Sequence, residues 1–192
     1  KVNVARGQGL AAAKRILPIV DLKVEIKSND NGERLKLKSG NILFNSVNFS
    51  YKSNFENKIL KDVSAEFSGG KMTALVGHSG SGKSTLLNMI PRIYSPNEGD
   101  IKIDEQDISK INLNSLRKEI SIVDQNVTLF DDTVINNIKY ANPQASLEEI
   151  YEAADNAMCK DFIENLDNKY ETRIGENGVK LSGGEKQRLS IA

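Results

Sequence analysis

Residues 77–85, GHSGSGKST, combine closely spaced glycines with one lysine and several hydroxyl groups. They match the pattern Gly, four residues of any kind, then Gly-Lys-Ser, which forms a loop around phosphate groups. Glycines let the backbone fold tightly enough for its N–H groups to converge on phosphate oxygens. Lys83 adds a full positive charge for the β- and γ-phosphates, and the Ser84 hydroxyl is suited to bind Mg²⁺. The candidate nucleotide-binding residues of this phosphate loop are Gly77, His78, Ser79, Gly80, Ser81, Gly82, Lys83, Ser84 and Thr85.

Residues 181–188, LSGGEKQR, predict a second helix start that attracts anions. Ser182 and Glu185 form the pattern of a capping box, with which many helices begin. A capping box needs no glycine between these positions, and two glycines in a first turn cost about 1 kcal/mol each relative to alanine. Gly183 and Gly184 are useful if something must closely approach the backbone N–H groups, and a helix N-terminus favours an anion. We expect that one nucleotide does not use both sites within one subunit.

The elements around these motifs predict a mixed α/β core with a helical insertion. Alternating or apolar runs predict strands in ILFNSVNFSY, DVSAEF, MTALVG, GDIKID and ISIVDQ, with a turn at SGG. A helix is expected from Lys83 to Ile90, ended by Pro91. Beyond Thr133 the spacing becomes helical, and one apolar face should consist of Leu147, Ile150, Tyr151, Ala154 and Met158.

The N-terminal part predicts a helix over residues 9–21 that Pro18 ends or kinks, followed by a polar linker.

Twenty-six basic residues balance 26 acidic ones, which argues against nucleic acid as a partner. One cysteine excludes an internal disulfide framework, and no run is long enough to span a membrane. Because the chain begins at Lys1 and ends within a predicted helix, we expect it to be an internal piece of a longer protein.

The phosphate loop followed by LSGGEKQR resembles the nucleotide-binding domain of ABC transporters. In that family, the signature segment of one subunit closes over the γ-phosphate of ATP held by the phosphate loop of the other. The resemblance implies ATP and Mg²⁺ as cofactors, and contacts from the Ser182 hydroxyl and the Gly184 N–H to the partner's nucleotide. The signature segment that it implies consists of Leu181, Ser182, Gly183, Gly184 and Glu185.

Other positions extend the resemblance to exporters. Tyr51 matches the aromatic residue that stacks on adenine in that family. Gln125 matches the glutamine that reaches Mg²⁺ and the attacking water. Gln125 and the phosphate-loop residue Lys83 are therefore the candidate catalytic residues. TRIGENGVK, with Glu176, is similar to the segment that faces the membrane domain in exporters. The sequence looks most similar to the bacterial lipid A exporter group, although Asp124 and Glu185 depart from the usual residues.

The family implies a P-loop NTPase core of the RecA-like type with an antiparallel β subdomain and an inserted helical subdomain. The expected divisions are a connecting helix over 1–26, a linker over 27–40 and an incomplete nucleotide-binding domain over 41–192. Within that domain, the core covers about 41–125 and the helical subdomain about 126–192. The Asp-Glu strand and the histidine that the family places after the signature segment do not occur in these 192 residues. We therefore expect this stretch alone to hydrolyse no ATP, whereas its parent does.

The predicted function is ATP binding and hydrolysis at a dimer interface, which drives export or flipping of a lipid or amphiphile. The implied partners are a second nucleotide-binding domain and a transmembrane domain on the same chain. The domain would lie on the cytoplasmic face of a membrane, the bacterial inner membrane by resemblance.

Two alternatives stay open: a soluble ABC ATPase acting on ribosomes or DNA, and a catalytically degenerate half of an asymmetric pair. A small GTPase is disfavoured because no Asn-Lys-x-Asp motif occurs.

Overall fold

The structure is a computed structural model that describes residues 2–21, 32–51 and 58–192, with side chains described from residue 9 onward. The chain divides into two compact units, residues 1–120 and 121–192. Each unit is described separately below.

An antiparallel sheet forms the centre of the first unit. Its strands are β1 (Ile42–Phe49), β2 (Leu60–Phe67), β3 (Glu98–Ile103) and β4 (Gln106–Asp107), in the order β2-β1-β3-β4. The strands predicted in ILFNSVNFSY, DVSAEF and GDIKID are confirmed, and a turn follows β2 where SGG predicts one. Alternation places apolar side chains on the covered face, where helices α2 (Lys83–Met89) and α3 (Leu113–Lys118) contribute to the core. The largest fully buried side chains of this core belong to Phe44, Met89, Ile101 and Leu116.

Two predicted strands, in MTALVG and ISIVDQ, do not form. Neither segment belongs to a ladder in the described part of the chain. Met72 and Val76 are almost fully exposed, and Ile122 and Val123 are about half exposed. Near-continuous apolar runs suit strands of a parallel sheet, which need neighbours on both edges, and the described residues supply no such neighbour. The antiparallel part of the predicted core is therefore present among the described residues, and the parallel part is not.

Residues 32–41, which we call the strap, are tied to the first unit by side chains distant in sequence. The Asp104 carboxylate accepts hydrogen bonds from the backbone N–H groups of Lys38, Ser39, Gly40 and Asn41 at 2.7–3.1 Å. The Gln106 amide both donates to and accepts from the Lys36 backbone, at 2.8 and 2.9 Å. The Ser115 hydroxyl accepts from the Leu35 N–H at 3.0 Å. Residues 32–40 of the predicted linker are thus tied to the first unit, while the predicted division into domains stays a prediction.

The strap is expected to loosen when Asp104 is replaced by alanine. The N–H groups of Gly40 and Lys38 hold the pKa of the Asp104 carboxyl well below its usual range. Because the folded pKa is lowered, the stabilising effect is complete above the ordinary aspartate pKa of about 3.9 and is lost as the pH falls through the lower folded value. Amide hydrogen exchange at residues 38–41 should accelerate roughly tenfold in Asp104→Ala at neutral pH. The same residues should remain protected in Glu105→Ala, and equal protection in both variants would contradict the assignment.

The N-terminal helix α1 covers Val2–Val20 and includes Pro18. Of the two expected effects of Pro18, ending the helix is therefore wrong, and a kink stays a prediction. Pro18 lies in the last turn, where its missing N–H removes one hydrogen bond to the preceding turn, and the N–H of Asp21 still donates to the Leu17 carbonyl at 2.9 Å. Among the described residues, no helix combines the length and apolar character needed to cross a membrane.

The second unit is helical. It contains α4 (Val134–Lys139), α5 (Leu147–Asn156), α6 (Lys160–Glu164) and α7 (Gly183–Ile191), with 3₁₀ turns at Lys169–Glu171 and Glu176–Gly178. Its core includes Val134, Ile150, Ala154, Cys159, Ile163, Ile174 and Leu189.

The predicted apolar face of this unit is only partly correct. Ile150 and Ala154 are buried as expected, but Leu147, Tyr151 and Met158 are exposed. Met158 lies beyond the end of α5 in the left-handed region, at φ 56°, so helical spacing no longer applies to it. The Tyr151 ring packs instead against the Tyr170 ring, with 4.7 Å between centroids.

Candidate nucleotide-binding site

The phosphate loop depends on glycine for its backbone path. Gly80 and Gly82 lie in the left-handed region, at φ 81° and 88°, which other residues rarely adopt. A Cβ on Gly82 would lie 2.8 Å from the Leu60 Cδ2 atom at the start of β2. Gly82 is the residue that directly precedes α2. A side chain at this position would clash with Leu60, so the observed path of the chain from the loop into the helix requires glycine.

The Lys83 side chain folds back over the phosphate loop. Its Nζ donates hydrogen bonds to the carbonyl oxygens of Gly77 at 2.8 Å and His78 at 2.7 Å, and lies 3.3 Å from the Ser81 Oγ. This geometry places a full positive charge at the mouth of the loop. Ser84, the other residue predicted for phosphate chemistry, is exposed in the first turn of α2.

Tyr51 lies beside the phosphate loop. Its hydroxyl is 2.8 Å from the Thr85 Oγ1, and its ring meets those of Phe49 and Tyr94 edge-on, at 5.0 and 5.3 Å between centroids. The structure thus brings Tyr51 together with the loop, while adenine stacking stays a prediction. A cavity of about 580 Å³ is lined by Tyr51, Ile59, Ser79, Gly80, Ser81, Gly82, Lys83, Ser84 and Thr85.

Ile59 is a lining residue that the sequence analysis does not single out. It is partly exposed immediately before β2, and its carbonyl would lie 3.5 Å from a Cβ on Gly82. An apolar residue before a strand is a weak signal, because most such residues belong to a core. Its place beside the phosphate loop follows from the pairing of β1 with β2.

The residues of this cavity fit a nucleoside triphosphate with magnesium. The volume is within the usual range for a small-molecule site, about 300–1,000 Å³. In the described part of the chain, no group of three or more His, Cys, Asp or Glu side chains could hold a metal. Mg²⁺ is commonly bound by one or two protein oxygens together with substrate phosphates, and the Ser84 hydroxyl can supply such an oxygen.

Gln125 lies near the start of the second unit and is exposed. Its backbone N–H donates to the carboxylate of Asp124 at 2.7 Å. Asp124 therefore has a local structural partner. The roles that the family resemblance implies for Gln125, in binding Mg²⁺ and water, stay predictions.

The signature segment forms the predicted capping box at the start of α7. The Ser182 hydroxyl accepts a hydrogen bond from the Glu185 N–H at 3.4 Å and donates to the Glu185 carboxylate at 2.7 Å. The same carboxylate accepts from the Ser182 N–H at 2.7 Å. The Ser182 hydroxyl, followed by its backbone N–H, lowers the pKa of Glu185. Leu181 is buried in the core and anchors this turn.

Nothing in the described part of the chain requires glycine at positions 183 and 184. Both residues lie outside the left-handed region, and a Cβ on Gly183 would have no atom within 4 Å. A Cβ on Gly184 would meet only the Arg188 Nη1, at an ordinary contact distance of 3.6 Å. The exposed first turn of α7 thus leaves its backbone accessible from outside, in contrast with Gly82, which its own fold requires.

Comparison with known proteins agrees with this arrangement of motifs. The ABC transporter family profile matches residues 60–192. The ATP-dependent lipid A-core flippase of Photorhabdus laumondii is 46% identical over 192 residues, which are 100% of this chain and 32% of the flippase. The mitochondrial ABC transporter B family member 24 of Arabidopsis thaliana is 45% identical over 188 residues, covering 96% of this chain and 27% of that protein. A solved bacterial Atm1-family ABC exporter with ATP bound superposes with a TM-score of 0.87 at 40% identity, covering 96% of this chain and 32% of that one.

A phosphate loop in one unit and a glycine-bearing helix start in the other define an ATP-binding domain of the ABC type. The chain belongs to the ABC transporter family. It spans about a third of the length of the curated relatives that it matches.

Proposed function

We propose that the full-length protein is an ABC exporter in which two ATP-binding domains close around ATP. The observation that carries this proposal is the open first turn of α7. Gly183 and Gly184 lower helix propensity by about 1 kcal/mol each, and the described chain derives no packing or backbone benefit from them. Such a turn is suited to the phosphate groups of a nucleotide bound to a second copy.

Each candidate residue has a defined part in this proposal. The phosphate loop holds the triphosphate, Lys83 attracts the β- and γ-phosphates, and the Ser84 hydroxyl holds Mg²⁺, which when bound neutralises phosphate charge. Tyr51 packs against the adenine, and Gln125 orients the attacking water. The Ser182 hydroxyl and the Gly184 N–H of the other copy donate to the γ-phosphate.

The exporter assignment is supported by the relatives. A lipid A-core flippase and an Atm1-family exporter both match the chain over nearly its whole length. We therefore propose a membrane domain on the same chain, a lipid or amphiphilic substrate, and a place for this domain on the cytoplasmic side of a membrane.

Disulfide cross-linking of the full-length protein tests the closed dimer. Cysteines would replace His78 in the phosphate loop and Ser182 in the signature segment, both of which are exposed. The native Cys159 is buried, and burial raises the pKa of its thiol to about 11, so it should not compete. Trapping with a non-hydrolysable ATP analogue is expected to give cross-linked dimers, and the yield without nucleotide should be several-fold lower.

The matched control moves the second cysteine to Ser190, which is exposed in the last turn of the same helix. This variant should give little cross-linking under either condition. Equal yields from Ser182→Cys and Ser190→Cys would show that the first turn of α7 does not face the phosphate loop of another copy.

A further inference from the structure

Arg188 lies one turn after the signature glycines and is held against an aromatic ring of a neighbouring helix. The centre of its guanidinium is 5.6 Å from the centroid of the Phe162 ring, which belongs to α6. Side chains of a helix lie over the turn that precedes them, and the Nη1 of Arg188 is 3.6 Å from where a Cβ of Gly184 would be. The guanidinium therefore lies beside the first turn of α7.

Arg188 forms no ion pair in the described part of the chain. None of the ion pairs among those residues includes Arg188, and its buried Nε has no hydrogen-bond partner. Glu185, the nearest acidic residue along the helix, directs its carboxylate to Ser182 instead. Buried donors without a partner are rare and costly, so a reason for keeping one is needed.

We infer that Arg188 is a positioning residue for the ATP-dependent reaction, which keeps a positive charge without an ion pair beside the turn where phosphate docks. This inference depends on the proposed function. The Phe162 ring attracts the cation but leaves its charge in place, whereas a carboxylate would neutralise that charge. A guanidinium next to a helix N-terminus adds to the attraction of that helix end for an anion.

The absence of a side chain at position 184 is part of the same arrangement. Because Gly184 has no Cβ, the guanidinium lies beside the open backbone, and a phosphate that approaches this backbone does so in the field of the guanidinium charge. The capping box directs the carboxylate of Glu185 to the hydroxyl and N–H of Ser182, so this carboxylate forms no ion pair with the guanidinium.

The test uses the full-length protein and the variants Arg188→Met, Arg188→Lys and Phe162→Leu. Arg188→Met keeps an unbranched apolar stem but removes the charge, and should lower kcat for ATP hydrolysis about tenfold. The KM for ATP should stay within about twofold, since the phosphate loop is unchanged. Arg188→Lys should recover most of the lost rate, because it keeps the charge. Phe162→Leu keeps apolar packing but removes the ring, and should lower kcat about threefold.

A second readout is the titration of Glu185, followed by NMR. Arg188 contributes to lowering the pKa of that carboxyl, so Arg188→Met should raise it and Arg188→Lys should restore it. This readout reports whether the charge of Arg188 reaches the first turn of α7, whereas a role in packing alone would lower kcat in the Met and Lys variants alike.

Wild-type kcat in Arg188→Met would overturn the inference, as would equal losses of kcat and thermal stability in Arg188→Met and Arg188→Lys. If Arg188→Met does not fold, the Phe162→Leu variant decides, and an unchanged kcat there would overturn it. Failure of the proposed function is distinguishable, because Ser182→Arg would then hydrolyse ATP at the normal rate whatever happens at Arg188.

Discussion

Replacing Lys83 with alanine is expected to abolish ATP binding by the full-length protein at physiological concentrations. The Lys83 ammonium is held over the phosphate loop by the carbonyls of Gly77 and His78, so it is placed to meet a triphosphate. Hydrogen bonds to charged groups contribute about 1.5–3 kcal/mol each, and losing two of them weakens binding about a hundredfold or more. Titration with a fluorescent ATP analogue measures the affinity, and a phosphate-release assay measures turnover.

The control for this prediction is Lys61→Ala, an exposed lysine on β2 that removes the same charge outside the site. Its affinity should equal that of the wild type. Thermal unfolding should change little in either variant, since Lys83 is not part of the core. ATP affinity within threefold of the wild type in Lys83→Ala would contradict the assignment of the phosphate loop.

Replacing Ser182 with arginine is expected to spare ATP binding and to lower turnover about a hundredfold or more. The long side chain would cover the first turn of α7, where Gly183 leaves the backbone open, and would prevent a phosphate from approaching it. Because the phosphate loop is untouched, the affinity for the fluorescent ATP analogue should not change. The loss of the cap itself lowers stability by about 1 kcal/mol, which is small beside the expected kinetic effect.

Two comparisons separate docking from helix stability. Ser190→Arg adds the same side chain at the other end of α7 and should turn over ATP normally. Gly183→Ala should raise the stability of α7 by about 1 kcal/mol, because its Cβ has free space, and yet lower turnover. Unchanged turnover in Ser182→Arg would show that the first turn of α7 has no part in the reaction.

Several features were predictable because they depend on a few neighbouring residues. The capping box of Ser182 and Glu185 and the helix that starts at Lys83 form as expected. A cap requires one hydroxyl and one carboxylate three residues apart, and a phosphate loop requires glycines where the backbone turns. The alternation that predicts β1 and β3 is likewise local, since one face of each strand is buried.

Other predictions failed because a ladder needs a partner from elsewhere in the chain. The segments MTALVG and ISIVDQ have the apolar character of buried strands, but no described strand pairs with them. The composition of these segments indicates that they suit a buried strand. A strand forms only where another strand lies alongside to pair with it, and composition alone does not provide that second strand. Pro18 shows the same limit, since its position in the last turn of α1 decides how much it disrupts.

The sequence by itself determined the family, and it contains the patterns of the phosphate loop and the signature segment, because each pattern consists of consecutive residues. Only the tertiary structure decided that Tyr51 contacts Thr85, that Asp104 holds the strap and that Arg188 lies on Phe162. These contacts join residues that are far apart in sequence or on different helices. Their distances follow from how strands pair and helices pack, which no short pattern contains.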